Sequence, residues 1–174
     1  MRPICFIAVA MRGLALAALL TLAGRPACAA DAILRVTSGS QTLALTPDDV
    51  HKLPHIELTA TDPHQNASHV YSGVPMRELL AKVGAPLGER MRGPALRLAV
   101  VFHAADGYTT VFALAEFDEA FSDRQLILAD AQDGKPLPPN AGPYRLVVPG
   151  DKRAARWARM ITSIEVVSVN GTTS

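Results

Sequence analysis

The stretch GPYRLVVPGDKRAARWARMITSIEVV, residues 142–167, holds the clearest structural pattern of the chain. Its two ends, RLVV at residues 145–148 and ITSIEVV at residues 161–167, are rich in aliphatic and β-branched residues, which favour strands. Pro149 and Gly150 close the first run, as is usual where a strand gives way to a loop. The stretch therefore predicts two strands joined by a polar connection, with the second strand ending the domain.

The connection between these strands is strongly basic. Five cations and the single acid Asp151 fall within 15 residues, and the cations are Arg145, Lys152, Arg153, Arg156 and Arg159. Arginine forks bind phosphate oxygens bidentately, and Trp157 can stack on a flat heterocycle or cover a guanidinium group. The pattern predicts an anion-binding site, and the alternative is a solvated basic face of a helix.

Two further residues are candidates for the same pocket. Tyr108 follows the predicted hairpin turn Asp106-Gly107, and His103 lies in the β-prone run of residues 96–104. In an apolar strand His103 can be either a core histidine or a base that faces a pocket. The predicted ligand-binding set is therefore Arg145, Arg153, Arg156, Arg159, Tyr108 and His103, and no catalytic residue is assigned.

The rest of the sequence predicts many short strands and few short helices. Residues 33–36 and 42–45 are β-type runs that suggest a hairpin. The apolar spacing of residues 76–83 before Gly84 is helical, and residues 114–121 have the pattern of a short amphipathic helix. About eight strands and three or four short helices without regular βαβ alternation predict an α+β domain with a mixed β-sheet.

Residues 1–30 have the pattern of a secretory signal peptide. Arg2 and Arg12 provide positive charge, residues 13–23 are an apolar run, and Ala27-Cys28-Ala29 is a cleavage site of small residues. The apolar run is shorter than the roughly 20 residues of a membrane span. We therefore expect a periplasmic or secreted protein with no stable membrane insertion after removal of the leader.

The remaining residues, 31–174, are expected to form one domain. They contain 14 basic and 16 acidic residues, a net charge of −2, which is not the composition of a nucleic-acid-binding arm. Both cysteines, Cys5 and Cys28, lie in the predicted leader. Thiol catalysis and thiolate–metal bonds are therefore excluded for the mature domain.

Histidines are concentrated near the start of the domain. Four occur within 19 residues, at His51, His55, His64 and His69. A metal site needs several such ligands that converge in space, but Pro54 interrupts the helix that would align the first two. We predict solvated loop histidines and no metal site. Asp130 and Asp133 can act as an acid pair, but they more simply begin a turn.

Residues 143–150, PYRLVVPG, and residues 155–160, ARWARM, resemble the oxidoreductase molybdopterin-binding domain family, which has the sulfite-oxidase fold. The family carries a pattern like P-x-R-V-V-P-G followed by A-R-x-x-K-W, with Arg159 in the lysine place here. Residues 71–80, YSGVPMRELL, are similar to its G-V-P-L-x-x-L-L helix. The resemblance implies a pocket for molybdopterin or a similar anionic ligand.

The chain departs from that family at two positions. Family enzymes bind molybdenum through a cysteine in the segment that matches residues 59–62, which read Thr-Ala-Thr-Asp here. A histidine before the P-x-R motif is also replaced, and Asn140 lies nearest to its place. The resemblance then implies an exported binding or accessory module without conventional molybdenum chemistry. The ligand of such a module is an anionic small molecule or a segment of a partner protein. One alternative is an oxidoreductase that holds molybdopterin without a cysteine ligand, and another is a structural or signalling domain that binds a partner protein and no pocket ligand.

Overall fold

The computed structural model describes residues 34–169, so the predicted leader lies outside the described residues. This part of the chain forms ten strands and two short helices. The strands are β1 (Leu34–Ser38), β2 (Gln41–Leu45), β3 (Ile56–Asp62), β4 (Ala67–Pro75), β5 (Leu98–Ala104), β6 (Thr109–Ala113), β7 (Ile127–Gln132), β8 (Lys135–Pro136), β9 (Arg145–Val147) and β10 (Ile161–Ser168). The α-helices are α1 (Pro47–His51) and α2 (Met76–Lys82), and single 3-10 turns lie at Gly88–Arg90, Gly93–Arg97, Leu114–Phe117 and Ala154–Arg156.

The strands divide into two five-stranded sheets. The first has the order β2-β1-β10-β5-β6, in which β10 pairs parallel with β1 and antiparallel with β5. The second has the order β3-β4-β7-β8, and β9 also pairs with β7. The sequence predicted one mixed sheet of about eight strands. The structure has a mixed first sheet and a second sheet whose pairs are antiparallel.

The second sheet is most deeply buried at its middle. All three residues of β9 are buried, as are the first three residues of its neighbour β7. β9 lies in the aliphatic run of residues 145–148 that the sequence predicted as a strand, and burial on both faces explains why this run does not alternate with polar residues. Helix α2 adds Met76, Leu79 and Leu80 to the same core. The strand β9 therefore carries its residues, including Arg145, into the interior.

The basic connection after β9 is not a helix. Only Ala154–Arg156 forms a 3-10 turn, after which Trp157 N–H donates to Ala154 O. The end of the connection bonds to other segments: Leu146 N–H of β9 donates to Ala158 O, and Met160 N–H donates to Ala141 O, at 2.8 and 3.0 Å. The connection therefore lies against β9 and the segment before it, and the helix that the helix-face alternative expected is wrong.

The amphipathic helix predicted at residues 114–121 is also shorter than expected. A 3-10 turn covers Leu114–Phe117 and ends at Asp118. The Asp118 carboxylate accepts hydrogen bonds from Gly88 N–H and Ala120 N–H, which holds the chain in a turn instead of a further helical turn. Within residues 34–169 the longest α-helix is α2, with seven residues, and no helix there is long and apolar enough to cross a bilayer.

Candidate functional site

Arg145, the first residue of β9, is a buried cation with fixed surroundings. It is 4% exposed, and its Nη2 donates to Asp62 Oδ2 at 2.7 Å. Its Nη1 lies 3.4 Å from the Tyr71 hydroxyl, and its guanidinium carbon is 5.6 and 5.1 Å from the ring centroids of Tyr71 and Trp157. An ion pair and two cation–π contacts therefore hold the guanidinium in one orientation.

Asp62, the last residue of β3, balances this charge. Its carboxylate is 1% exposed and also accepts a hydrogen bond from His64 N–H at 2.8 Å. Burial alone would raise the pKa of Asp62, but the hydrogen bonds from His64 N–H and Arg145 hold it below its ordinary value. The carboxylate is therefore ionised at neutral pH, and the pair with Arg145 is neutral overall.

Beside this pair lies a cavity of about 160 Å³, here called the Arg145 cavity. Polar and apolar side chains share its lining, which consists of Asp62, His64, Gln65, Gln132, Pro138, Asn140, Ala141, Arg145, Ala154, Trp157 and Arg159. Two of the lining residues have buried N–H donors without a hydrogen-bond acceptor: Nε of Arg145 and Nε1 of Trp157. Buried donors are almost always paired in folded proteins, so these two indicate a place for an acceptor-rich ligand.

The structure brings two of the predicted ligand-binding residues, Arg145 and Arg159, to the same cavity. Arg156 lies instead in a charge network with Glu116, Arg124 and Asp151. Its guanidinium donates to Asp151 at 2.7 Å and to Glu116 at 3.0 Å. The hydrogen bond to Asp151 raises the pKa of Arg156. Arg156 therefore already has two carboxylate partners.

The other predicted residues do not line the Arg145 cavity. The Tyr108 hydroxyl donates to Ala155 O at 2.6 Å and so ties the start of β6 to the basic connection. His103 is partly exposed on β5, with its Nδ1 3.4 Å from the Thr109 hydroxyl. Arg153 is exposed. A role for these residues or for Arg156 in ligand binding stays a prediction.

A larger hollow of about 370 Å³ lies elsewhere, and its arginines are paired with acids. Arg77 forms an ion pair with Glu119, and Arg124 joins the network of Glu116 and Asp151. None of the six predicted ligand-binding residues lines this hollow. Both arginines of this hollow have carboxylate partners, whereas the Arg145 cavity has in addition Arg159, which forms no ion pair within residues 34–169, so the Arg145 cavity is the better anion site.

Sequence reasoning missed Asp62, His64, Gln65 and Gln132 as cavity residues. The alternation of residues along β3 was a sequence signal for Asp62. In the structure Ala60 and Asp62 are buried, and their neighbours Thr59 and Thr61 are exposed. The two-residue period of a strand places Asp62 on the inward face. The family resemblance had marked Asn140 and the segment that ends at Asp62, and both positions line the cavity.

Two sheets around a buried arginine at the start of a P-x-R-x-V-V-P-G strand define a domain of the molybdopterin-binding oxidoreductase class. The family model "Oxidoreductase molybdopterin binding domain" matches residues 30–173, and the chain belongs to this family, whose members bind molybdopterin.

A solved structure is similar to this chain, the crystal structure of the sulfane dehydrogenase SoxCD from Paracoccus pantotrophus. The TM-score is 0.60 and the sequence identity is 20%, over 79% of this chain and 38% of that chain. The similarity shows a shared fold, and this chain matches less than half the length of that one. No curated protein matches the sequence.

The residues of the cavity fit the anionic group of molybdopterin but not thiolate-bound molybdenum. The unpaired donors of Arg145 and Trp157, with Arg159 beside them, suit an anionic group rich in acceptors. A volume of about 160 Å³ is smaller than the roughly 300–1,000 Å³ of small-molecule sites. The chain has no cysteine after Cys28, and Asp62 already pairs with Arg145. Thiolate-bound molybdenum therefore does not fit these residues, and no oxygen-transfer step follows from them.

Proposed function

We propose that this chain is a ligand-binding domain of the molybdopterin-oxidoreductase type that works without thiolate-bound molybdenum. The observation that carries the proposal is the pair of buried, unpaired donors, Arg145 Nε and Trp157 Nε1, at one polar cavity. A buried donor without an acceptor costs about 1–3 kcal/mol, which a bound acceptor recovers. The domain then acts as a binding or accessory module for an anionic small molecule.

The charge balance of the cavity indicates how much negative charge the ligand carries. The charge of Arg145 is cancelled by Asp62, and Arg159 provides a further positive charge at the lining. Gln65, Gln132 and the other amides add hydrogen bonds without charge. This set suits a phosphate-like group that accepts several hydrogen bonds.

The size of the cavity indicates which part of the ligand enters it. About 160 Å³ holds a phosphate group and not a complete pterin cofactor. The remainder of the ligand would extend past Arg159, which is exposed. A phosphorylated pterin, held by its anionic end, is the ligand class that family membership and the cavity chemistry support together.

A second function is supported by the identity of two lining residues. Asp62 and His64 offer a carboxylate and an imidazole, both of which bind metals. A molybdopterin-dependent oxidoreductase without a cysteine ligand would use such groups or water. The short Arg145–Asp62 contact argues against it, since a metal would have to compete with a buried guanidinium for the carboxylate. The molybdenum content of the purified protein distinguishes the two functions.

The binding proposal is tested by titrating the full chain with inorganic phosphate and with a phosphorylated pterin. Trp157 is the only tryptophan of the chain, so its fluorescence reports directly on the cavity. Calorimetry provides a second readout that does not depend on the indole. The variants are Arg159→Gln, which removes a cavity charge, and Arg35→Gln, a matched control on the exposed side of β1.

We expect saturable binding of the phosphorylated pterin, weakened about tenfold by Arg159→Gln, the scale of a charge-assisted hydrogen bond at a partly solvated site. Arg35→Gln should leave the affinity unchanged. Trp157→Phe, measured by calorimetry, should also weaken binding because it removes one donor. Absence of saturable binding, or equal effects of Arg159→Gln and Arg35→Gln, would overturn the proposal.

A further inference from the structure

A second group of ligand-type side chains lies outside the Arg145 cavity. His51 ends α1, His55 precedes β3, and Asp130 lies in β7. Asp130 Oδ2 is 3.0 Å from His55 Nε2 and 3.3 Å from His51 Nδ1, and the three ligand atoms lie within 4.8 Å of one another. The sequence predicted solvated histidines here, because Pro54 interrupts the helix that would align His51 with His55. The contact of His55 with Asp130, 75 positions away, has no local sequence signal.

In the neutral His55 ring, the hydrogen on Nδ1 leaves the lone pair of Nε2 facing Asp130. His55 Nδ1 is 2.7 Å from the carbonyl oxygen of Leu53, and a carbonyl accepts only, so Nδ1 carries the hydrogen. In the neutral ring Nε2 then has a lone pair, directed at a carboxylate oxygen 3.0 Å away. Two acceptor atoms at that distance repel each other unless a positive charge bridges them. That charge is either a second proton on the imidazole ring or a metal ion bound to both atoms.

The hydrogen bond of His55 to Leu53 is also the arrangement that metal-binding histidines use. Such histidines almost always donate the other ring N–H to a carboxylate, a carbonyl or water, which fixes the tautomer. Neighbouring ligand atoms around tetrahedral zinc, with bonds of about 2.0–2.1 Å, are separated by roughly 3.3 Å. The distances of 3.0 and 3.3 Å from Asp130 Oδ2 match that spacing.

An independent observation at the same place points to a ligand. Asp130, His51 and Tyr144 line a cavity of about 280 Å³. The Tyr144 hydroxyl is buried without a hydrogen-bond partner, and the residue is 3% exposed. The hydroxyl group of a tyrosine carries its proton at neutral pH. It is a donor available to a group bound in this cavity.

We propose that His51, His55 and Asp130 bind one divalent cation of the zinc class, with an open coordination position toward the cavity lined by Tyr144. Two imidazoles and a carboxylate are a borderline-soft donor set that suits Zn²⁺ better than Ca²⁺ or Mg²⁺. Three protein ligands with one free position is the pattern of zinc sites that keep a bound water. Tyr144 is then placed to hydrogen-bond that water. This site is separate from the Arg145 cavity and does not depend on the proposed function.

The test is a Zn²⁺ titration of the chelator-treated, untagged full chain against a competing metal indicator. His51→Gln is the main variant, because the His51 side chain is 67% exposed and its replacement leaves the core intact. Asp130→Asn removes the shared oxygen charge, and His103→Gln is the matched control, a partly exposed histidine on β5. Co²⁺ in place of Zn²⁺ provides an absorption spectrum that reports four-coordinate binding.

We expect one Zn²⁺ per chain, with affinity at least about tenfold lower in His51→Gln and in Asp130→Asn and unchanged in His103→Gln. Co²⁺ should give the intense visible bands of a four-coordinate ion, and these should be lost in His51→Gln. Failure to bind Zn²⁺, or binding that His51→Gln leaves unchanged, would show that a proton alone joins His55 to Asp130, and would overturn the proposal.

Discussion

Replacing Asp62 by Asn tests the buried charge pair on which the cavity depends. In Asp62→Asn the side-chain oxygen can still accept the His64 N–H, but the amide nitrogen replaces the oxygen that receives Arg145 Nη2 at 2.7 Å. Two donors then face each other, and the charge of Arg145 is left without its counter-ion in the core. The Arg145 side chain is 5% exposed, so water at the adjacent cavity replaces the lost carboxylate only in part.

The expected loss follows from that burial. Removing one partner of a buried ion pair costs about 3–5 kcal/mol, because the other charge remains desolvated and unpaired. The cation–π contacts of Arg145 with Tyr71 and Trp157 persist and offset little of this loss. For a domain of this size a loss of that magnitude lowers Tm by roughly 10–15 °C.

The pH dependence provides a second signature of the same pair. The pKa of Asp62 is lowered in the folded state, so its contribution to stability is fully present above the unfolded-state pKa of about 4. It is lost as the pH falls through the lowered folded-state pKa. The difference in unfolding free energy between the wild type and Asp62→Asn should therefore be constant near pH 7 and shrink below pH 4.

Urea unfolding followed by circular dichroism and by Trp157 fluorescence measures both effects. Asp123→Asn, at an exposed aspartate, is the matched control and should change stability by less than about 0.5 kcal/mol. A loss below about 1 kcal/mol in Asp62→Asn at pH 7, or a difference that does not fall at low pH, would refute the reasoning. It would mean that the pair contributes no more than a solvated surface pair.

Two other substitutions test the packing around the site. Gly73→Ala should destabilise the domain by about 3 kcal/mol or more, because its Cβ would overlap the backbone of Leu128 at the β4–β7 irregularity; unchanged urea unfolding would contradict this. Arg156→Gln should cost about 1–2 kcal/mol, since the side chain joins Glu116 and Asp151 and covers the Phe112 ring. Calorimetry with the phosphorylated pterin tests the predicted ligand-binding role of Arg156: a tenfold loss of affinity in this variant would place Arg156 in the binding site, and an unchanged affinity would limit it to the charge network with Glu116 and Asp151.

Local sequence patterns predicted the strands well and their partners poorly. The β-branched runs at both ends of the basic connection are β9 and β10, and Gly84 follows α2 with φ of 72°. The division into two sheets could not be read in the same way, because β10 pairs with the distant β1 and β5. Strand pairing between distant segments depends on the packing of the whole domain.

The candidate site was only partly predictable, because local sequence patterns do not show contacts between distant segments. Arg145 was predicted as one of five cations in the basic stretch, and the family resemblance marked Asn140. Its partner Asp62 lies 83 positions earlier, and no local signal connects the two. A count of charges also could not distinguish the cations that line the cavity from those that pair with carboxylates. Arg156 pairs with Glu116, a residue outside the basic stretch.

The molybdenum content of the protein tests the central claim most directly. The full chain would be purified from a molybdenum-replete host and analysed for metals and for bound pterin by mass spectrometry. Because no thiolate follows Cys28 and Asp62 is held by Arg145, we predict molybdenum far below one atom per chain, whether or not a pterin is present. Stoichiometric molybdenum would contradict the account and show that the chain holds the metal without a cysteine ligand after Cys28.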